Sequence, residues 1–579
     1  MSQKNEDEID LWGITGFHLG VVSQGGVDSQ HSSPDNRTGE SFPSCLRDDS
    51  QSSPKRWVFL LYDQLNLSLI PFHDEHPTET GLILIESIAK GTSRPYHKQK
   101  IAVLISNMRH FAIEAQKKGH PVSYIMTKED YSVTLQNLGG LGTIHTIRAA
   151  EKSTRDELSP LIDSGLLIEH PHNGWITPID WFTEALGTKP PFRMAPFYQK
   201  FRQETGILMH DSKPIGGKYS FDSENRSPWD GMHDLPEPPS YRRDNIDLEV
   251  EELVNSRFEE HPGSVDLSAQ PTTISQANDA LDYAISVLPL FGKYEDAMTT
   301  QSRGLFHSRL ASVLNLSRLL PMDVVDRVLS TDAPINSVEG FIRQIVWREY
   351  VHHIHVVTDG FQNLEVNRTL NTENDAGWWK SERKGVDPKH NPNHLSQNRK
   401  LPVAYWGEKS GLNCLDQTVQ SVMEDGWTHH IPRLMVQSNI ASLLDVNPRE
   451  LTDWFHASFI DAYDWVVEPN VMGMGTYALG DSMMTKPYVS GTPYINRMGD
   501  YCKSCSLDPK KTCPISSLYW AYLERHRSAF EGNFRMSMPL RTLSKRSENK
   551  KIDDRIVFES VYESLSAGRI WRPDGSQTL

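Results

Sequence analysis

The chain reads WVFLLYD at 57–63 and GLILIES at 81–87, then HKQKIAVLISNMRHFAIEAQKKGH at 97–120 and PVSYIM at 121–126. The three short runs are apolar and partly β-branched, which is typical of buried strands in a parallel sheet. The segment between the last two places apolar residues at helical spacing and reaches a stop at Gly119. A strand, a helix and a second strand in this order predict a βαβ unit.

Two further runs extend this pattern, GTIHTIRAA at 142–150 and GLLIEHP at 165–171. We therefore predict a doubly wound α/β domain over residues 55–200. The first run continues into YDQLN at 62–66 without a GxGxxG motif, so the fingerprint of dinucleotide binding is absent. A ligand of this domain should be smaller than NAD or bound in another way.

The rest of the sequence divides into segments that differ in composition. Residues 1–54 are rich in Ser, Asp, Gly and Gln and predict a disordered tail, and their acidic start argues against an organelle or secretory signal. Pro-rich, charged text at 201–268 predicts an interdomain connector. Amphipathic helical segments dominate 269–535, where a polar stretch at 367–400 predicts a surface loop, and a charged peripheral segment follows at 536–579.

Bulk properties narrow the class of protein. The chain has 579 residues and a formal charge of -16, which argues against a surface that coats nucleic acid but leaves room for a local basic groove. No apolar run is long enough to span a bilayer. Only 5 cysteines occur, which favours a reducing compartment and a cytoplasmic location.

Four of those cysteines form a pattern with metal-binding spacing: Cys414, and then Cys502, Cys505 and Cys513 in YCKSCSLDPKKTCP. Four thiolates can hold a tetrahedral zinc or an iron-sulfur cluster, whereas buried free cysteines are a common inert alternative. Pro514 follows the last cysteine, and a Cys-Pro step ends the bacterial ferredoxin run, so iron-sulfur is favoured over zinc.

The helical half carries three motifs in order: EGFIRQIVWREY at 339–350, GWTHHIPRLM at 426–435 and FIDAYDWVVEPN at 459–470. Asn336 and Glu339 have the spacing of a capping box, which predicts where the first helix begins.

The order of the domains, these motifs and the four cysteines resemble the photolyase/cryptochrome superfamily over about residues 56–535, and specifically its iron-sulfur bacterial branch. The resemblance implies the photolyase/cryptochrome fold, with an antenna-binding α/β domain and an all-α FAD-binding domain. It implies FAD, a 4Fe-4S cluster on the cysteines and a 6,7-dimethyl-8-ribityllumazine antenna. It also implies light-dependent repair of (6-4) pyrimidine photoproducts in UV-damaged DNA by a monomer.

The resemblance also implies which residues hold the flavin. HSRLASVLNLSRLLP at 307–321 is similar to the phosphate-binding segment of the superfamily, although His307 stands where the family usually has Thr. Arg433 and Asp461 match a buried ion pair beneath the flavin ring, in which neither charge is left alone. The full predicted set is Tyr294, Ser308, Arg309, Leu310, Gln344, Trp347, Arg348, Arg433, Asp461, Val467 and Asn470.

His430 aligns with the histidine that (6-4) repair requires, and histidine suits proton transfer near neutral pH. We expect His429, Tyr488 and Tyr494 to belong to the same lesion pocket, where aromatic faces stack on flipped bases. Relatives in animals carry a second histidine where this chain has Leu434.

Two tryptophans, Trp406 and Trp454, match those used to photoreduce the flavin in the bacterial branch, but the tyrosine between them is Phe455 here. For the antenna, we predict Asp63 and Glu86, which follow predicted strands at the ligand-binding edge of the sheet.

Two alternative functions remain open at this point. A cryptochrome photoreceptor would use the same cofactors without repair. A zinc-stabilised nucleic-acid-binding module would use the cysteines without a flavin. We interpret HHIH at 352–355 as core or surface histidines, because no cysteine or carboxylate spacing accompanies it.

Overall fold

A computed structural model describes residues 41–47, 52–369 and 391–575 of the chain. Most of the predicted tail at 1–54 and of the predicted loop at 367–400 lies outside these ranges. Within them, the apolar residues form two cores, one around a parallel sheet and one among helices. This arrangement confirms the predicted α/β and all-α division of the chain.

The first core surrounds a parallel sheet of 5 strands in the order β3-β2-β1-β4-β5. The strands are β1 (Arg56–Leu60), β2 (Thr80–Ser87), β3 (Val122–Thr127), β4 (Ile144–Ile147) and β5 (Leu167–His170). Every strand overlaps a run predicted from the sequence. The chain winds outward from β1 to β3 and then outward on the other side from β4 to β5, so the sheet is doubly wound.

The helix Lys98–Lys117 connects β2 to β3 and covers the sheet. The His97 ring accepts a hydrogen bond from the Gln99 N–H at its start, and Gly119 follows its end with a φ of 100°. Other helices of this part of the chain are Phe42–Cys45, Ile88–Thr92, Tyr131–Asn137 and Lys152–Asp163.

The helix Asn245–Arg257 also belongs to the first core, although the sequence predicted a connector over this region. Val250 and Val254 on one face of it are completely buried. On its polar side, Glu249 accepts a hydrogen bond of 2.8 Å from Arg109 of the helix Lys98–Lys117. Because charged residues surround its short apolar face, the sequence predicted a linker where the structure has a packed helix.

The second core consists of helices. The longer ones are Ile179–Leu186, Met194–Thr205, Ile274–Tyr294, Pro321–Leu329, Ile335–Val357, Asn413–Asp425, Pro448–Ser458, Ile515–Arg525, Ser537–Ser544 and Glu548–Ser566. Shorter helices are Ala311–Asn315, His430–Pro432, Asn439–Leu443, Asp464–Glu468, Thr492–Met498 and Arg527–Phe530. Among the described residues, no helix combines the length and hydropathy needed to cross a membrane.

The helix Ile335–Val357 begins near the predicted position, but the predicted capping box is wrong. The Glu339 carboxylate accepts a hydrogen bond of 2.8 Å from the Phe221 N–H instead of closing the helix start. The histidines at its other end lie in the core: His352 stacks on Trp175 with ring centroids 3.7 Å apart.

The final helix, Glu548–Ser566, packs against Ile515–Arg525, and its residues Val561 and Leu565 are completely buried. The structure therefore differs from the predicted peripheral segment at 536–579, since most of that segment is anchored to the second core.

Polar contacts join the two cores. The Lys152 N–H donates to Asp464 Oδ2 at 2.7 Å, and Arg94 pairs with Asp453 at 2.8 Å. Lys100 reaches from the first core to the His456 carbonyl at 2.9 Å, and burial lowers the pKa of this lysine to about 7. These contacts hold the helical core against the carboxyl edge of the sheet.

Candidate active site

A cavity of about 910 Å³ opens among the helices of the second core. Such a volume accommodates a large, mostly enclosed ligand. The predicted residues that line it are Ser308, Arg309, Leu310, Gln344, Trp347, Arg348, His429, His430, Arg433, Asp461, Val467, Asn470, Tyr488 and Tyr494. Side chains separated by almost two hundred positions in the sequence therefore meet at one cavity.

Arg433 and Asp461 form a two-point ion pair in the cavity wall. Arg433 Nη1 donates to Asp461 Oδ1 at 2.9 Å, and Nη2 donates to Oδ2 at 2.8 Å. Arg433 Nε donates to the Thr428 carbonyl at 2.8 Å, and the guanidinium lies 4.3 Å from the centroid of the Phe459 ring. The pair is fixed in one orientation by these contacts.

Arg348 lines the cavity, and its guanidinium lies 4.5 Å from the centroid of the Trp175 ring and 4.9 Å from that of Trp465. Its Nε donates to Asn315 Oδ1 at 2.9 Å, and the Asn315 amide in turn donates to the Asp461 carbonyl at 2.8 Å. Burial lowers the pKa of Arg348 to about 10. The Nη1 atom of this arginine is buried, lies 4.0 Å from Glu349 Oε1 and makes no hydrogen bond within the described part of the chain.

Trp347 and Asn470 meet on another side of the cavity, where the indole N–H donates to Asn470 Oδ1 at 3.0 Å. The Asn470 amide donates to the Val466 carbonyl at 2.7 Å, which fixes its orientation. Val467, which lines the cavity nearby, presents only an apolar surface. The Gln344 amide donates a hydrogen bond of 2.7 Å to the Glu295 carboxylate, and Glu295 was not predicted from the sequence.

Ser308, Arg309 and Leu310 form a tight turn before the helix Ala311–Asn315, with a φ of 58° at Arg309. The Arg309 guanidinium lies 4.6 Å from the centroid of the Trp427 ring. Tyr294 does not line the cavity; its hydroxyl donates to Asp230 at 2.7 Å. Tyr294 thus lies outside the cavity wall that the other predicted flavin residues form.

Three histidines lie together at the cavity. The rings of His307 and His429 stack with centroids 4.2 Å apart. Burial lowers the pKa of His307 to about 3. Desolvation of the ring, with the Arg433 cation second, lowers the pKa of His430 to about 4, although this residue is exposed. Burial, and next His307, lowers the pKa of His429 well below its usual value, so all three rings are neutral at pH 7. Within the described residues, His307 Nε2 and His429 Nδ1 have no hydrogen-bond partner.

The rim of the cavity is formed by residues 485–488 together with Tyr494. Tyr488 is exposed, and burial raises the pKa of Tyr494. Asp296 lies beside Tyr494, and its pKa is raised to about 6 by burial and then by the charge of Glu295. The rim thus presents two aromatic rings, with the Asp296 carboxyl group beside one of them.

Two π-helical segments, Arg433–Ser438 and Pro469–Gly475, carry much of the cavity wall. They approach so closely that a Cβ atom at Gly475 would lie 3.0 Å from Ser438 Oγ. A π-helical turn shifts the hydrogen-bond pattern by one residue and is common at functional sites. Sequence reasoning missed both segments.

Trp454 is fully buried, and its ring centroid lies 6.5 Å from that of Trp406. Phe455 contacts Trp454 at 4.9 Å between centroids and itself lines the cavity. The two predicted tryptophans and Phe455 therefore form a continuous aromatic series that leads to the cavity.

The four predicted cysteines surround a small void of about 10 Å³. The Thr492 hydroxyl donates to Cys513 Sγ at 3.5 Å, and the Leu507 N–H donates to Cys505 Sγ at 3.5 Å. Burial, and next the neighbouring thiols, raises the pKa of Cys414 well above its usual value. Binding of a metal by these thiols would release their protons.

The spacing of these thiols is wide. In the described part of the chain, only one cluster brings three candidate ligand atoms within 4.8 Å of one another, and it consists of His110, Asp244 and Asp247. These three residues are hydrogen-bonded to one another at the start of the helix Asn245–Arg257. No three of the four cysteine sulfurs are that close. A tetrahedral zinc would bring its sulfurs to about 3.8 Å from one another, given its bond length.

A smaller cavity of about 80 Å³ lies between the two cores. Its walls include the aromatic rings of Tyr62, Tyr96, Tyr131 and Tyr463. Glu86 lines it, but its carboxylate is occupied by two hydrogen bonds of 3.0 Å from Arg109.

Asp63 follows β1 at the same edge of the sheet but does not line this cavity. Burial, and next the charge of Glu151, raises the pKa of Asp63 to about 7. Of the two predicted antenna residues, Glu86 therefore lines this cavity and Asp63 does not.

Comparison with known proteins gives the following matches. The model of the family "Deoxyribodipyrimidine photo-lyase-related protein" matches residues 58–269, and that of "FAD binding domain of DNA photolyase" matches residues 341–496. A protein of Agrobacterium fabrum named (6-4) photolyase is 32% identical over 545 residues, covering 88% of this chain and 99% of that protein.

Solved structures with a similar fold include a bacterial class III photolyase from Agrobacterium tumefaciens, with a TM-score of 0.51 and 16% identity over 88% of this chain and 98% of that one. A cryptochrome of Synechocystis has a TM-score of 0.49 and 13% identity, over 87% and 94% of the two chains. The first of these supports the two-domain fold described above.

Proposed function

This chain belongs to the photolyase/cryptochrome superfamily, and from that premise we propose that it is a light-dependent DNA repair enzyme for (6-4) pyrimidine photoproducts. The main observation behind the proposal is that His430 lines the same cavity as the Arg433–Asp461 ion pair. This arrangement occurs in a chain that is 32% identical, along nearly its whole length, to a relative named (6-4) photolyase.

The large cavity fits FAD. Its volume of about 910 Å³ and the cationic side chains of its wall, among them Arg309, Arg348 and Arg433, suit a large ligand that carries phosphate groups. When bound, FAD would absorb blue light and supply an electron to the lesion. We assign its diphosphate to the turn at Ser308–Leu310 and its ring to the side of the cavity that holds Arg433 and Asn470.

We assign proton transfer to His430. The ring is neutral at pH 7, so it presents one N–H and one lone pair to the cavity. A lesion phosphate near this ring would raise its pKa and favour the protonated form. A ring nitrogen of His430 would then donate the proton that lets the lesion hydroxyl return to its parent base.

For the cysteines we propose a 4Fe-4S cluster. The wide spacing of the thiols supports a cluster, in which each thiolate binds a separate iron, over a single zinc. The site ties Cys414 to the segment that holds Cys502, Cys505 and Cys513, so we infer that its role is structural.

For the antenna we propose the small cavity between the cores, with a ribityllumazine as its ligand. Its position at the carboxyl edge of the sheet and its tyrosine-rich wall support the assignment. The charged residues that face it include Glu86, Lys90, Lys100 and Glu151, and Asp63 is set aside because it lies outside the wall. We infer that the protein acts as a monomer on DNA in the cytoplasm.

The test is repair of an oligonucleotide that contains one (6-4) lesion, under light, by the wild type, His430→Ala and the control His210→Ala. His210 is an exposed histidine outside the cavity. We expect His430→Ala to lower the repair yield by about 100-fold or more with normal flavin content, as loss of a general acid does. Equal repair by His430→Ala would remove its assignment, and no repair by flavin-loaded wild type would favour a photoreceptor.

A further inference from the structure

A short amphipathic segment near the carboxyl end has an unpartnered outer face. The turn Phe534–Met536 continues into the helix Ser537–Ser544, and Met536 and Leu543 bury its inner face. Phe534, Met538, Arg541 and Lys545 point outward at spacings of one helical turn, and we call these four residues the outer stripe. Phe534 is 87% exposed and Met538 is 76% exposed.

The segment is basic in an acidic protein. Residues 532–547 include Arg535, Arg541, Lys545 and Arg546 and contain no Asp or Glu, whereas the whole chain carries a charge of -16. Arg546 is bound to Asp554 at 2.6 Å. In the part of the chain that the structure describes, no salt bridge engages Arg535, Arg541 or Lys545, so their charges face solvent.

The outer stripe starts at the rim of the large cavity. Asn533 donates a hydrogen bond of 3.0 Å to the carbonyl of Thr485, which belongs to the rim. Burial and Asp222 raise the pKa of Tyr488, while the cations of Arg226 and Arg535 lower it, so Arg535 lies close to this rim residue. Phe534 is therefore next to the entrance that a ligand would use.

We propose that the outer stripe holds the DNA duplex beside the cavity, with Arg541 and Lys545 on backbone phosphates and Phe534 as a wedge in the base stack. The inference rests on the proposed function. A lesion reaches an enclosed cavity only when it leaves the duplex, and the vacated space needs a filler. Exposed phenylalanine and methionine side chains act as such wedges in proteins that distort DNA.

The composition of the stripe favours DNA over a protein partner. A stable protein interface buries about 800 Å² on each side and has an apolar centre. The stripe instead has two isolated apolar side chains followed by unpaired cations, which complement a phosphate backbone.

The experiment compares wild type with Phe534→Ser and with the double variant Arg541→Ala/Lys545→Ala. Matched controls are Ile556→Ser and Arg555→Ala on the helix Glu548–Ser566, where Ile556 is 61% exposed. Affinities for undamaged and (6-4)-containing duplexes are measured at several salt concentrations on flavin-loaded protein. Light-driven repair at saturating protein and the sedimentation coefficient are recorded for the same samples.

We expect the double variant to bind both duplexes more weakly and to lower the slope of log Kd against log salt by about two. Phe534→Ser should lose about tenfold in affinity for the damaged duplex and keep its affinity for the undamaged one. The control variants should match the wild type.

If wild type repairs the lesion and all variants bind DNA as it does, the outer stripe is not the DNA surface. A change of sedimentation without a change of DNA affinity would overturn the inference in favour of a protein contact. If wild type binds damaged DNA but fails to repair it, the proposed function is wrong. The DNA affinities of the variants still show whether the outer stripe binds DNA.

Discussion

Arg433 donates from two nitrogen atoms to the two carboxylate oxygens of Asp461, at 2.9 Å and 2.8 Å, in the wall of the large cavity. The two residues come from a π-helical segment and from the loop before the helix Asp464–Glu468. Because each charge neutralises the other, the pair can lie against an aromatic cofactor without leaving an isolated charge at low dielectric. The ion pair therefore fixes the orientation of both side chains in the cavity wall.

Replacing Arg433 with Ala should remove the flavin. The Asp461 carboxylate would lose its partner, and we expect the free energy of unfolding to fall by about 3 kcal/mol. The flavin-to-protein ratio and urea unfolding measure the two effects. Arg399→Ala is the control, because the half-buried Arg399 pairs with Glu559 at 2.8 Å and does not line the cavity. Full flavin content in Arg433→Ala would contradict the role of the pair.

Replacing Trp454 with Phe should remove most of the photoreduction rate of the bound flavin, because the aromatic series loses its buried oxidisable ring. The Trp454 N–H donates to the Tyr405 carbonyl at 2.9 Å, so a stability loss of about 1 kcal/mol should accompany the change. Transient absorption under blue light measures the rate. Trp571→Phe removes another buried tryptophan as a control. An unchanged rate in Trp454→Phe would point to another route.

Purified protein should contain iron and sulfide, with no equimolar zinc. Cys414→Ser should lose the metal, because its thiol supplies the ligand from the far segment of the chain. Elemental analysis and visible absorption report the outcome. Cys45→Ser serves as a control, since Cys45 lies in the short helix Phe42–Cys45. Stoichiometric zinc without iron would reverse the assignment.

Repair should depend on pH through His430. Desolvation and the Arg433 cation lower its pKa to about 4, so the protonated fraction at pH 7 is small and increases as the pH falls. If protonation of His430 limits repair, we expect the repair yield to increase by about tenfold for each unit that the pH falls between pH 8 and pH 6. The same series on His430→Asn should be flat and low. A flat wild-type profile would show that His430 protonation does not limit repair.

Much of the fold could be predicted because burial leaves a pattern in the sequence. The runs around Val58 and Leu82 are apolar on both faces, as strands covered by helices must be. The motifs around His430 and Asp461 predicted the residues of the large cavity. Their mutual distances could not be predicted, because the chain brings them together only through tertiary packing.

The predictions that the structure does not match also failed for physical reasons. Glu339 has the local spacing of a helix cap, but a distant backbone N–H at Phe221 competes for its carboxylate. The two π-helical segments leave no periodic signal, since one shifted hydrogen bond changes no residue type. Asp63 follows β1 as predicted, yet the cavity beside it opens toward Glu86 and the tyrosines instead.

The central claim is that a flavin in the large cavity uses light to repair a (6-4) lesion. The most direct measurement is chromatographic analysis of a lesion-containing oligonucleotide after incubation with flavin-loaded, reduced protein in blue light and in darkness. The account predicts restored, undamaged bases only in the illuminated sample. An intact lesion in both samples, with flavin present and DNA bound, would contradict it.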